Sequence, residues 1–149
     1  MRDKITETLK AALKAQDKRR TGTLRLIQAA IQDRDIVHRG EGKDPVTDDE
    51  ILQILTKMVK QREESAKVYD QGGRAELAAQ ERDEIAIIKD FLPQQMSSDE
   101  VKSACQAAIG EIGAEGLRDM GKCMAVLKEK YPGQMDFGKA SGVVKELLQ

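Results

Sequence analysis

Three sets of residues in this chain have types and spacing that could do chemistry. Glu81 and Glu84 stand three positions apart, so a helix would carry both on one face. The turn "DQGGR" at 70–74 is short enough to fold that helix back on the preceding one. With the turn centred near Gly72, Arg62 and Ser65 fall opposite the two carboxylates. Two carboxylates held at different proton affinities are the usual means of general acid–base work. The same residues also make an ion-pair network that fixes the register of two helices. No nucleophile, cofactor loop or third polar group converges on Arg62, Ser65, Glu81 and Glu84 in sequence, so the structural network is the reading adopted and no catalytic residue is assigned.

His38 and the pair Cys105 and Cys123 are the second set. One histidine and two distant cysteines, with no CxxC spacing, are not a zinc set. Both cysteines sit on apolar seams, where a thiol behaves as a small buried apolar group. There is no GxxxxGK[ST] loop, no GxGxxG following a strand and no GxSxG elbow. Neither a metal nor a cofactor is expected. Two unpaired cysteines suit a reduced, cytoplasmic protein. The opening "MRDKITETLK" lacks an apolar signal core, and no run approaches the roughly 18 apolar residues of a membrane span.

Basic clusters are the third set. The net charge is −1, but the distribution is uneven. Up to Arg39 there are ten Lys/Arg against five Asp/Glu, and from Gly40 to Gln95 eight against thirteen. One candidate phosphate-binding surface lies in the basic front, around Lys18, Arg19 and Arg20. Another lies near the end of the chain, with Lys122, Lys128, Lys130 and Lys139. The aromatic residues are too scattered to stack unpaired bases.

The elements that must position these residues read as helices throughout. Ala, Leu, Lys, Glu, Gln and Arg dominate, Trp is absent, and only three prolines occur. Ile5, Leu9, Ala12 and Leu13 mark a first short helix, separated by "KRRTG" from a second. The second is apolar over a wide arc, with Leu24, Ile27 and Ile31 on one face and Leu26, Ala30 and Val37 on the next, which predicts a central place in a bundle. Thr47 and Glu50 form a capping box for a long third helix, and Ser97 and Glu100 another for the fifth. The expected fold is all-α: an N-terminal antiparallel bundle over residues 1–95, then a small three-helix domain over 96–149.

Three blocks, "TLRLIQAAIQDRD", "EILQILTKMVKQREESAKVYDQGGRAELAAQERDEIAIIKDFLPQQMS" and "DMGKCMAVLKEKYPGQMDFGKASGVVKELL", resemble the YqeY family over nearly the whole chain. That family is similar to the C-terminal tail of GatB, the B subunit of the glutamine-dependent tRNA amidotransferase. The tail is a helical domain followed by a three-helix domain thought to hold tRNA. GatB's catalytic body has no counterpart in this sequence. The resemblance therefore implies a noncatalytic protein that binds tRNA or an aminoacyl-tRNA amidation complex, linked only by association to a carbon–nitrogen ligase with glutamine as amide donor. Gly121, Lys122 and Met124 match a GatB-like motif, with Ala125 where a lysine is often seen. Gly121 is expected to let a neighbouring helix approach. The alternative is a helical protein–protein adaptor with no RNA role, using the acidic middle or the apolar arc of the second helix.

Overall fold

A computed structural model describes all 149 residues, and every regular element in it is helical. The α-helices are α1 (Arg2–Lys14), α2 (Lys18–Gly40), α3 (Asp48–Gln71), α4 (Ala75–Lys89), α5 (Ser98–Ile112), α6 (Met120–Lys130) and α7 (Phe137–Leu148), with one 3₁₀ turn at Leu117–Asp119. No helix is long and apolar enough to cross a membrane. The chain divides into two compact units, Met1–Pro93 and Gln94–Gln149, each with its own core.

Both capping boxes form. The hydroxyls of Thr47 and Ser97 each accept from the backbone N–H of Glu50 and Glu100, whose carboxylates reach back to the cap N–H. The break between α1 and α2 lies earlier than the sequence suggested. "KRRTG" belongs to the first turns of α2, because Asp17 caps that helix with its carboxylate on the Arg20 N–H at 3.1 Å. The reversal is made at Gln16, which takes a left-handed conformation at φ 56°. A non-glycine residue there costs about 1 kcal/mol and carries no sequence signature.

In the first unit Ile5, Leu24, Ile27, Ile51, Leu55 and Ile88 are fully buried. Val46, from the α2–α3 connection, and Phe91, from beyond α4, complete this core. The second apolar face of α2 is not enclosed as expected: Leu26 is 49% exposed and Val37 47%. Helix α2 does contact α1, α3 and α4, but these neighbours leave the edge bearing Leu26, Ile36 and Val37 open.

Polar ties fix the α2–α3 connection. Arg2 donates from both terminal nitrogens to the Asp35 carboxylate, at 2.9 and 2.8 Å, and to the Val46 carbonyl at 3.0 Å. The Val46 N–H donates to Asp35 at 2.9 Å. His38 brackets the same loop. Its Nδ1 lies 2.9 Å from the Asp44 carbonyl, which can only accept, and its Nε2 lies 3.1 Å from Glu50 Oε2.

The second core is built largely of small residues. Cys105, Cys123, Leu127, Ala140 and Val144 are fully buried, with Ala104, Ala108 and Met135 beside them. Burial pushes both thiols up from their ordinary value. Gly113 ends α5 in the left-handed conformation.

The Arg2 guanidinium and then the Val46 N–H hold the Asp35 carboxyl down at about 2. An unfolded aspartate titrates near ~4, so this contribution is complete above about pH 5 and fades as pH falls from ~4 toward 2. Asp35→Asn is expected to lower the melting temperature at neutral pH, with the gap from wild type closing toward pH 2. Thermal circular dichroism across that range checks it. A gap that stays constant would show that the carboxylate's charge does not hold this junction.

Candidate functional site

Helices α3 and α4 form an antiparallel hairpin, turned at Gly72–Arg74 with Gly73 at φ 72°. Its distal half has almost no core: between residues 62 and 84 only Ala66 and Ala78 are buried. Two small side chains let the helices approach closely, and ion pairs set the register. Arg62 Nε donates to Glu84 at 2.8 Å, and Nη1 donates to the Met58 carbonyl at 3.2 Å. These side chains are only 15% and 29% exposed. On the same arm Arg82 pairs with Asp70, which lowers the Asp70 carboxyl from its ordinary value.

Of the four residues grouped from sequence, the structure joins Arg62 and Glu84. Ser65 lies further along α3, half-buried beside Gln61, Glu64, Val68 and Tyr69. Glu81 is one turn before Glu84 and is not in the Arg62 contact. The Asp70–Arg82 pair was missed, although its acid opens the "DQGGR" turn itself. A guanidinium held by a carboxylate at one nitrogen and a carbonyl at another ties two helices together. No three His, Cys, Asp or Glu side chains gather as a metal set.

The basic candidates separate sharply. Arg19 pairs with Asp83, and Arg20 with Asp90 at 3.1 Å. Two of the three basic-front candidates thus tie the start of α2 to α4 and its end, leaving Lys18 exposed without an ion pair. In the second unit Lys130 lies 2.5 Å from Glu111 of α5, which raises its pKa. Lys122 and Lys128 on α6 and Lys139 on α7 are exposed and form no salt bridge, though the charge of Lys122 acts on Asp119.

A family model described as Yqey-like protein matches residues 2–148. The chain belongs to the YqeY family. No curated protein matches it in sequence. The most specific block of the YqeY resemblance lies on the hairpin: "KQREES" holds Arg62, the Gly-Arg pair makes the turn, "ERDE" supplies Glu84, and "FLP" buries Phe91. The GatB-like Gly121 does not admit a neighbouring helix as expected. A Cβ built there meets nothing within 4 Å.

Arg62→Ala is expected to destabilise the chain by about 1–2 kcal/mol in urea denaturation, because it leaves Glu84 partly buried without its partner. Glu81→Ala is expected to change stability by under about 0.5 kcal/mol. Coupling in a double-mutant cycle should appear for Arg62 with Glu84 and vanish for Arg62 with Glu81. Gly121→Ala, in open space within a helix, should stabilise by about 0.5–1 kcal/mol. A loss on that substitution would mean that the glycine's backbone freedom is in use.

Proposed function

We propose that this YqeY-family protein is a noncatalytic, stand-alone counterpart of the GatB tail that binds tRNA, or an aminoacyl-tRNA amidation complex, through phosphate contacts from its C-terminal unit. One observation carries the choice of surface. Lys122, Lys128 and Lys139 are exposed cations outside any salt bridge, Lys122 feeling only the nearby charge of Asp119, whereas Arg19 and Arg20 are already neutralised within their own unit. An unpaired ammonium releases counterions when it meets a phosphate. A paired one must first lose its carboxylate. Lys130 is the weakest of the C-terminal candidates for the same reason. Contact through phosphates alone makes binding indifferent to base sequence and sensitive to shape. Association with glutamine-dependent carbon–nitrogen ligase chemistry enters only through the likeness to GatB, and no step of that chemistry is assigned to this chain.

A second reading, the helical adaptor without an RNA role, draws support from the open apolar face of α2, where Leu26, Ile36 and Val37 are all about half exposed or more.

Changing Lys122, Lys128 and Lys139 together to Gln is expected to weaken tRNA binding and to flatten its salt dependence by about 2–3 units of slope. Circular dichroism should be unchanged, since these side chains flank the core without filling it. The matching triple change of Lys18, Arg19 and Arg20 is expected to lower the melting temperature, through loss of the Asp83 and Asp90 ties, with less effect on the slope. Failure of the intact protein to bind tRNA at low salt would discard the RNA reading and leave the adaptor.

A further inference from the structure

The apolar edge that α2 leaves open borders a depression between α2 and α3. Ala30 of α2 and Ile54 and Met58 of α3 make its floor, and all three pack with the core of the first unit. Leu26, Ala30, Asp33 and Val37 recur at steps of four and three, so they stand on one stripe of α2. Leu26 and Val37 are about half exposed, and Ile36 beside Val37 is 63% exposed. From Leu26 to Val37 the stripe runs about 16 Å, the length over which a docked helix sets anchors at i, i+4 and i+7.

The charged groups lining the depression are Arg34 on the α2 wall, Lys57 on the α3 wall, and Asp33. All three are exposed and none forms a salt bridge. The charge of Arg34 acts on Glu41 and Glu50. Those carboxylates are already held, Glu41 by Lys43 and Glu50 by the Thr47 cap and His38. Two cations and one carboxylate leave the depression with a positive excess.

We propose that this groove docks an acidic amphipathic helix of another protein. Its apolar side chains cover Ala30, Val37 and Ile54, and its flanking carboxylates meet Arg34 and Lys57. Asp33 stands within the stripe, where an apolar anchor would bury it unpaired. The occupant therefore carries a hydrogen-bond donor at that point, and a single polar position of this kind fixes register. Other occupants fit less well. RNA brings no apolar side chain to the floor. A basic helix satisfies Asp33 but opposes both cations. A second copy offering the same face sets one positive excess against another. The groove lies in the first unit and uses none of the second unit's lysines, so it stands whether or not tRNA is bound.

Fluorescence anisotropy of the full chain with a labelled amphipathic peptide tests this. The peptide carries leucines at steps of four and three, one asparagine among them, alanine fill and glutamate flanks. A control peptide has lysine for every glutamate. At low salt the glutamate peptide is expected to bind about tenfold tighter than the lysine peptide, with the gap narrowing as salt rises. Lys57→Glu is expected to weaken the glutamate peptide about tenfold, and Arg34→Glu combined with Lys57→Glu to reverse the preference. Val37→Asp should abolish binding. Lys57 and Val37 are exposed, so both single variants should keep their helical circular dichroism. Equal binding of the two peptides, or a preference for the lysine peptide, overturns the proposal. Binding that survives Lys57→Glu and Val37→Asp unchanged does the same. A dimer in sedimentation equilibrium that Val37→Asp dissociates would assign the groove to a second copy and overturn it as well.

Discussion

The Asp35 carboxylate is the junction on which the first unit depends. It accepts a two-pronged guanidinium from Arg2 on α1 and a backbone N–H from Val46, while sitting on α2 itself. Three segments distant in sequence are thereby held at one point. Exposed ion pairs are ordinarily worth about 0–1 kcal/mol. A bidentate arginine combined with a backbone donor leaves far less freedom to lose, and it acts where little else is available. Helix α1 is too short to be stable alone and buries only Ile5 and Ala12. The connection after α2 contributes only Val46 to the core. Once Val46 is seated, Thr47 follows directly as the cap of α3, and His38 closes over the same loop through Asp44 and Glu50. The direction in which α3 leaves the core, and with it the hairpin arm, follows from that junction.

What the sequence made legible was whatever repeats with the helical period. Both capping boxes, the buried seams of α2, α3 and α5 to α7, and the all-helical class could be read because each depends on residues at fixed local spacing. Val46 and Met135 escaped notice, although both are core residues, because they lie in polar connections where no period announces burial. The start of α2 was misplaced because a left-handed glutamine has no compositional signal. The wide apolar arc of α2 suggested enclosure, but amphipathic width says how much surface a helix offers and not how much its neighbours cover. Turn arithmetic brought Arg62 near Glu81 and Glu84. Which of the two it meets depends on how the helices cross, a quantity one turn of offset can reverse.

Charge in this chain also has to be read pair by pair. The basic front and acidic middle suggested separate surfaces for separate partners, yet much of the contrast is internal matching. Arg19 with Asp83 and Arg20 with Asp90 join one region to the other. Basic density in a sequence therefore overstates the field presented to a polyanion wherever an acidic helix packs alongside. The second unit shows the converse. Its net charge is close to neutral, but Glu100, Asp119 and Asp136 are occupied by backbone N–H groups at helix starts and turns. Lys128 and Lys139, which no carboxylate holds in a salt bridge, consequently keep more of their attraction for an external anion than a sum of charges implies.

Helix α3 serves the core and α4 with one periodic sequence. Ile51, Leu55 and Val59 enter the core. Arg62 and Ala66 face α4, Met58 joins the core, and Val68 is left largely exposed. The transition from the first role to the second falls where hydrophobic contact runs out. Beyond Arg62 the hairpin relies on two alanines and two ion pairs, contacts that fix geometry while burying little apolar area. Stability in a folded chain is not uniform, and a segment with so few buried contacts opens at lower cost than the core it extends from. An arm of that kind gains most from being covered, because each apolar side chain it exposes can still be removed from water.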